Sequence, residues 1–136
     1  MNSKICNVII LDDCPARHKS ADHLWPGCRI VHCYTYFHFL SEILKGTHFD
    51  IVALDHDLGD FRDADVGIPP TVHSFQSDPR PLNGCDAALW LTLNRSRAQF
   101  GDIIVHSANP HGAKRMMDTF AQAGWAGIIR KFIDVQ

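Results

Sequence analysis

The amino-acid sequence predicts a single doubly wound α/β domain over residues 1–136, built on a five-stranded parallel sheet. Short apolar runs rich in β-branched residues alternate with stretches that have apolar residues at helical spacing. The runs lack the alternating pattern of a half-exposed strand, which indicates strands covered on both faces. A chain of 136 residues with 46% hydrophobic residues is large enough to bury a core of its own.

The first half of the chain contains three predicted strands and two predicted helices. Pro15 suits the first turn of the first helix, because the N–H that proline lacks is not needed there. Pro26-Gly27 and Lys45-Gly46 end the two helices. In chain order the elements are strand Asn7–Leu11, helix Ala16–Leu24, strand Arg29–Cys33, helix Tyr36–Leu44 and strand Ile51–Leu54.

A long connection follows the third strand. Residues 59–83 are rich in proline and aspartate and show little periodicity, so we expect a functional insertion or lid there. Asn83-Gly84-Cys85-Asp86 then looks like a turn and a helix start, in which Asp86 suits the first turn or the cap. The remaining elements are a helix that begins at Ala87, strand Asp102–His106, helix Ala113–Ala123 and strand Gly127–Ile129.

Composition argues against several classes of protein. The formal charge of −2 and the lack of a basic run argue against a binder of duplex DNA or RNA. No apolar run has the length of a membrane span, and residues 1–6 lack the layout of a signal peptide. The five cysteines contain no C-x-x-C pair, so we expect reduced thiols in a cytoplasmic protein, in a bacterial cell or, for a viral protein, in its host.

Polar residues gather where three of the predicted strands end. Carboxyl ends of strands form the ligand-binding edge of an open parallel sheet, so we expect the three groups on one rim. They are Asp12-Asp13 after the first strand, Asp55-His56-Asp57 after the third and His106-Ser107-Ala108-Asn109 after the fourth. Taken singly, the acids, the serine and the asparagine are ordinary helix caps, and His56 is an ordinary surface histidine.

The four acids of this rim together predict a metal site. They have no Arg or Lys beside them, so each would raise the pKa of the others unless a cation were bound. Asp12 and Asp13, with either Asp55 or Asp57, can hold that cation. Oxygen ligands alone suit Mg²⁺ or Mn²⁺, whereas ligation by a histidine of the rim would also allow Zn²⁺.

The same rim resembles that of the response-regulator receiver family. The matches are Asp12-Asp13, Asp55, Ser107-Ala108 and Lys131-Phe132. The resemblance implies the flavodoxin-like sheet order 2-1-3-4-5, Mg²⁺ at the acidic pair, phosphorylation of Asp55, and contacts of Ser107 and Lys131 with the phosphoryl group. The chain departs from ordinary receivers in its Asp-His-Asp motif, the histidine before Ser107, the insertion after the third strand, and a missing or truncated last helix.

Longer motifs are similar to a variant of that family, the receivers proposed to process cyclic phosphates. The motifs are Leu54-Asp55-His56-Asp57-Leu58-Gly59, Gly84-Cys85-Asp86-Ala87 and Ile104-Val105-His106-Ser107-Ala108-Asn109-Pro110-His111-Gly112-Ala113. This resemblance implies a phosphodiesterase that uses a metal and the added histidines to hydrolyse a cyclic nucleotide or cyclic oligonucleotide.

Phosphodiester hydrolysis needs an activated water, a neutralised phosphate and a protonated leaving oxygen. His56 or His106 can protonate the leaving alkoxide, and the sequence does not decide between them. Ser107 and Asn109, at the start of a predicted helix, can donate to the phosphate.

The insertion is expected to supply the substrate pocket. His73 can stack on a base, and Arg62 or Arg80 can meet a second phosphate. Two other functions stay open: a stand-alone receiver phosphorylated on Asp55 by a kinase partner, and a sponge that binds a cyclic nucleotide without cutting it. An enzyme of this kind would end a nucleotide signal or counteract nucleotide-based immune signalling. Formation of a homodimer stays open as well.

Overall fold

The computed structural model describes residues 5–58 and 82–131. Within them, one sheet contains β1 (Asn7–Leu11), β2 (Arg29–Cys33), β3 (Phe49–Leu54), β4 (Phe100–Val105) and β5 (Ile128–Arg130). The helices are α1 (Pro15–Leu24), α2 (Tyr36–Ile43), α3 (Gly84–Asn94) and α4 (Pro110–Gln122), and a short 3-10 helix spans Arg97–Gln99.

The sheet has the order β2-β1-β3-β4-β5, and every neighbouring pair of strands is parallel. Leu11 pairs with Cys33 on one side and with Leu54 on the other, and Leu54 pairs with Val105. β1, β3 and β4 therefore end at the same level of the sheet. The predicted fold class and the order 2-1-3-4-5 are confirmed.

The two faces of the sheet are covered by different helices. On one face, Ile10 and Ala53 pack with Ala21 of α1. On the other face, residues of β1, β3 and β4 pack with α2, α3 and α4, and fully buried side chains of this cluster include Ile9, Leu11, Leu54, Ile103, Phe39, Leu91, Met116 and Phe120. Each such Leu or Ile contributes about 1.5–3 kcal/mol through its removal from water. Coverage of both faces explains the uninterrupted apolar runs of the strands.

Polar caps start α3 and α4 three residues before the predicted positions. Asn83 Oδ1 accepts from the N–H of Asp86, and Asp86 Oδ2 accepts from the N–H of Asn83, which forms a capping box. Asn109 Oδ1 accepts from the N–H of Gly112 at 3.0 Å. The helices begin at Gly84 and Pro110, and these first turns carry no apolar pattern from which a helix could be predicted.

β3 and β4 begin two residues earlier than predicted. Phe49 and Phe100 pair across the two strands and are both buried, which extends the ladder beyond Ile51 and Asp102. His106 follows β4 instead of ending it.

Most of the predicted insertion, residues 59–81, lies outside the described part of the chain, as do residues 132–136, so the predicted loss or truncation of the last helix stays a prediction. None of the helices within residues 5–58 and 82–131 combines the length and the apolar character that crossing a membrane requires.

Candidate active site

Three buried aspartates meet at the carboxyl edge of the sheet. The N–H groups of Asp12, Asp55 and His106 each donate to the last carbonyl of the neighbouring strand, so the ladder continues one residue into the rim. One carboxylate oxygen each of Asp12, Asp13 and Asp55 lies within 4.8 Å of the others. All three residues are buried, Asp12 completely. We refer to Asp12, Asp13 and Asp55 as the acidic cluster.

Arg17, in the first turn of α1, reaches into the acidic cluster. Its Nη1 lies 3.2 and 3.4 Å from the two carboxylate oxygens of Asp12 and 3.4 Å from Oδ2 of Asp55. The expectation that no Arg or Lys lies beside these acids is therefore wrong. The signal that would have found Arg17 is Pro15, because a helix that starts there turns residue 17 back towards the end of β1.

Burial governs the charge of the acidic cluster. It raises the pKa of Asp12 to about 6 and, together with the nearby charge of Asp12, raises the pKa of Asp55 to about 7. The guanidinium of Arg17 opposes both effects. The predicted upward shift of the pKa is confirmed for these two acids, although loss of water contributes more to the shift than repulsion between the carboxylates. Above neutral pH, one guanidinium faces a cluster of three carboxyl groups.

His106 is a buried base beside the acidic cluster. Its Nδ1 lies 3.5 Å from Oδ2 of Asp12, and both side chains are 0% exposed. Neither ring nitrogen has a hydrogen-bond partner among the described residues. Burial, and then the positive charge of Arg17, lowers the pKa of His106 to about 3. The imidazole is therefore neutral at pH 7, and one of its nitrogens presents a lone pair.

A second polar group surrounds His56. Its Nδ1 lies 2.7 Å from Oδ1 of Asp57, which also accepts from Nδ2 of Asn109 at 3.4 Å. The hydrogen bond from His56 lowers the pKa of Asp57. An ionised carboxylate only accepts hydrogen bonds, so His56 carries a proton on Nδ1. Its Nε2 is buried and has no partner within residues 5–58 and 82–131.

Close contact with the backbone of α4 holds the ring of His56 in place. A Cβ on Gly112 would overlap the imidazole of His56, so the ring packs directly against the first turn of the helix. A Cβ on Gly84 would likewise overlap the carbonyl of Asp55, which explains the close approach of α3 to this strand end. The Gly84 and Gly112 positions of the predicted motifs thus allow two helix starts to approach the rim.

Ser107, Asn109 and Lys131 lie at the same edge of the sheet. Ser107 is 1% exposed, and its Oγ accepts from the N–H of Asn109 at 3.0 Å, which leaves the hydroxyl hydrogen free to donate elsewhere. Lys131 follows β5, where its N–H donates to the carbonyl of Val105, and the residue is exposed.

A chain of polar contacts that the sequence did not suggest braces Asp12. His18 Nε2 lies 2.8 Å from the carbonyl oxygen of Asp12, and His18 Nδ1 lies 2.7 Å from Nδ1 of His32. His32 Nε2 in turn lies 3.1 Å from Oδ1 of Asp22. Burial lowers the pKa of His18 to about 4, so it is neutral and donates from Nε2 to the carbonyl. No local pattern reveals this chain, because it depends on the packing of α1 beside β2.

The donors of the acidic cluster fit a divalent cation. Three buried carboxylates with oxygens within 4.8 Å are the hard ligands that Mg²⁺ and Mn²⁺ take, and the raised pKa values of Asp12 and Asp55 show that burial disfavours their charged forms, a cost that a bound cation would offset. Asp57 is not part of this group: its side chain is 63% exposed and pairs with His56. The structure therefore separates Asp57 from the metal ligands with which it was predicted.

Three of the predicted substrate-binding residues, Arg62, His73 and Arg80, lie outside the described residues. Their contacts with a base or a second phosphate stay predictions.

Comparison with known proteins agrees with the fold. A family model described as "Cyclic-phosphate processing Receiver domain" matches residues 7–122. No curated protein matches the chain.

Solved structures of receiver domains are similar to this chain at low sequence identity. The signal receiver domain of an HD domain-containing protein from Pseudomonas fluorescens Pf-5 is 10% identical with a TM-score of 0.60, over 96% of this chain and 76% of that one. A CheY-like receiver domain from Methylobacillus flagellatus is 13% identical with a TM-score of 0.59, over 97% and 91%. The receiver domain of a LuxO repressor protein from Vibrio parahaemolyticus is 16% identical with a TM-score of 0.57, over 97% and 82%. These likenesses establish the CheY-like fold.

Proposed function

We infer the function from a family: the chain belongs to the cyclic-phosphate processing receiver family, and we propose that it is a metal-dependent phosphodiesterase. Its proposed substrate is a cyclic nucleotide or cyclic oligonucleotide. The observation that carries the proposal is a buried acidic cluster at a sheet edge that also carries two histidines, His56 and His106, with buried ring nitrogens that lack partners among the described residues. A site that only accepts a phosphoryl group has no need of two such imidazoles.

Asp12, Asp13 and Asp55 would hold the divalent cation. When bound, the cation supplies the Lewis acidity that activates water and neutralises charge on the phosphate. The proton of the attacking water needs a base in or beside the acidic cluster. The neutral imidazole of His106 and the carboxylate of Asp55, whose pKa is raised to about 7, are the two bases at hand.

His56 is the proposed general acid. The ionised Asp57 holds a proton on Nδ1 and stabilises the imidazolium, so Nε2 can carry the proton that is transferred. As the water oxygen bonds to phosphorus, the ring P–O bond breaks, and the leaving alkoxide takes that proton and becomes a hydroxyl. Proton transfer of this kind typically accelerates a reaction by ~10²–10⁴-fold.

Cationic and polar donors at the rim suit an anionic substrate. The Nε of Arg17 is buried and has no acceptor in the described part of the chain, while Lys131 is exposed at the same edge. Together with the hydroxyl of Ser107 and the amide of Asn109, they can neutralise and orient a phosphate. Within a cytoplasm, such an enzyme would remove a nucleotide signal, including one used in immunity.

The test is incubation with a panel of cyclic mono- and dinucleotides, with and without EDTA, followed by chromatography. We expect a linear product that EDTA abolishes, and loss of about 100-fold or more in kcat for His56→Ala. His23→Ala, which changes an exposed histidine of α1, is the matched control and should retain full activity.

Failure of every nucleotide to be cut would contradict the proposal. Recovery of unchanged ligand after denaturation would then indicate a sponge. Formation of an acyl phosphate on Asp55 from a small phosphodonor would indicate a stand-alone receiver.

A further inference from the structure

Two cysteines lie side by side at the amino edge of the sheet, away from the acidic cluster. Asn7 of β1 pairs with Arg29 of β2, and the N–H of Arg29 donates to the carbonyl of Cys6 at 2.8 Å. Cys6 and Cys28 each precede one member of this pair, so they are neighbours across two parallel strands. Because residues in register alternate between the two faces together, both side chains leave the sheet on the same face.

The spacing of the two residues suits a disulfide. Neighbouring strands lie about 4.7–4.9 Å apart, which falls within the Cα separation of about 4.4–6.8 Å that a disulfide spans. The thiols already interact: a side-chain hydrogen bond with Cys28, and then burial, raises the pKa of Cys6 to about 11. Both residues are partly exposed, so a small oxidant can reach them.

The other three cysteines, which are also free thiols, occupy different places in the fold. Cys33 is completely buried at the end of β2. Cys14 precedes α1, and Cys85 lies in the first turn of α3, so both are near the carboxyl edge of the sheet. The structure describes all five cysteines, and among them only Cys6 and Cys28 are neighbours across adjacent strands.

We propose that Cys6 and Cys28 form a redox-active pair, which a peroxide converts into a reversible disulfide between the starts of β1 and β2. The inference is independent of the proposed function. Disulfides in reducing compartments are transient and commonly respond to oxidants. This pair is therefore a modification site, and the reduced thiols predicted from the sequence are one of its two states.

The oxidation takes place in two steps. The peroxide transfers one oxygen atom to the sulfur of Cys28, which becomes a sulfenic acid, and hydrogen peroxide itself is reduced to water. Cys28 reacts first because Cys6 keeps its proton. The sulfur of Cys6 then bonds to that of Cys28, the S–O bond breaks, and the hydroxide leaves with the proton of Cys6 as a second water.

The disulfide links the two strands beside which α1 packs. It closes a loop over residues 6–28, which contains β1, the acidic pair Asp12-Asp13 and the whole of α1. Closing such a loop restricts the unfolded chain far more than the folded one, so the oxidised protein should be more stable. For a chain of this length we expect the Tm to rise by about 10 °C.

Oxidation of the full chain with hydrogen peroxide tests the proposal. The reduced protein is treated with peroxide, the remaining thiols are alkylated, and the linked peptides are identified by mass spectrometry without reduction. We expect a predominant disulfide between Cys6 and Cys28, a mass lower by two hydrogens, and the higher Tm, all reversed by dithiothreitol. The same treatment in urea should yield a mixture of pairings.

Three variants separate the roles of the cysteines. Cys6→Ser should accumulate a sulfenic acid on Cys28 that dimedone traps, whereas Cys28→Ser should leave Cys6 as a thiol under the same treatment. Cys14→Ser, which removes another partly exposed cysteine, is the matched control and should form the disulfide like the unaltered protein.

Three results for the unaltered protein would overturn the inference. They are the absence of a link between Cys6 and Cys28, the same mixture of pairings in the folded and the urea-unfolded chain, and a Tm that falls on oxidation. None of these measurements uses a nucleotide or a metal, so failure of this inference is distinct from failure of the proposed function.

Discussion

Replacement of Asp55 by asparagine should stabilise the metal-free protein above neutral pH. Burial and the charge of Asp12 raise the pKa of Asp55 from 3.8 to about 7, so the folded state disfavours the charged carboxylate. Each pKa unit is worth about 1.4 kcal/mol, which gives about 4 kcal/mol of destabilisation by this one group at pH 8. Asparagine removes that charge but also one partner of Arg17, so we expect a net gain of about 2–3 kcal/mol.

Proton binding determines whether Asp55→Asn stabilises the protein and over which pH range it does so. A carboxyl group whose pKa is raised by folding binds protons more tightly in the folded state, so its contribution to stability is lost as the pH rises from about 4 to about 7. The gain from Asp55→Asn should therefore be small at pH 4 and full at pH 8.

The assay is urea unfolding of Asp55→Asn and the unaltered protein at pH 5 and pH 8, with chelator present throughout. Asp102→Asn, at an exposed position of β4, is the control and should change stability by less than about 0.5 kcal/mol. A less stable Asp55→Asn protein at pH 8, or an equal gain at both pH values, would refute the reasoning.

Four further predictions concern the rim. Arg17→Gln should tighten Mn²⁺ binding about tenfold at pH 8 in calorimetry, because the guanidinium no longer competes for the carboxylates; weaker binding would contradict this competition. Gly112→Ala should lower kcat at least about tenfold with an unchanged circular dichroism spectrum, because a Cβ would displace the ring of His56. Asp57→Asn should lower kcat about tenfold at constant KM in steady-state assays, because the imidazolium loses its anionic partner. Added Mn²⁺ should raise the Tm more at pH 8 than at pH 5, because protons leave Asp55 over that range; equal increases would argue against ligation by this carboxylate.

The strands and their convergence at one edge could be predicted from the sequence because burial on both faces leaves a strong local pattern. Continuous runs such as Asn7–Leu11 match the structure residue for residue. Parallel strands then place Asp12, Asp55 and His106 at one level, whatever the details of the helices. The helix starts were less accurate because caps such as Asn83 and Asn109 act through hydrogen bonds that hydrophobic periodicity does not reveal.

What the sequence could not provide was the pairing of side chains across elements. Arg17 lies beside Asp12 because α1 starts at Pro15, and Asp57 leaves the cluster because its carboxylate is exposed and pairs with His56. The contact between His18 and His32 joins residues 14 positions apart. Each of these facts depends on the direction of one side chain, which periodicity alone does not determine.

Burial shifts the pKa values of two aspartates, Asp12 and Asp55, and of two histidines, His18 and His106, in opposite directions. His18 and His106 have pKa values lowered by burial, so their contribution to stability is present above about pH 6.5 and lost as the pH falls towards about 4 and 3. Asp12 and Asp55 favour the folded state at low pH instead. Between about pH 4 and pH 6.5, a rise in pH therefore lowers the stability that the two aspartates contribute and raises the stability that the two histidines contribute. Above about pH 7 the imidazoles are neutral and the carboxylates are ionised, which is the state in which carboxylates bind a metal. The burial that destabilises the charged carboxylates thus also keeps His106 neutral, in the form that can accept a proton.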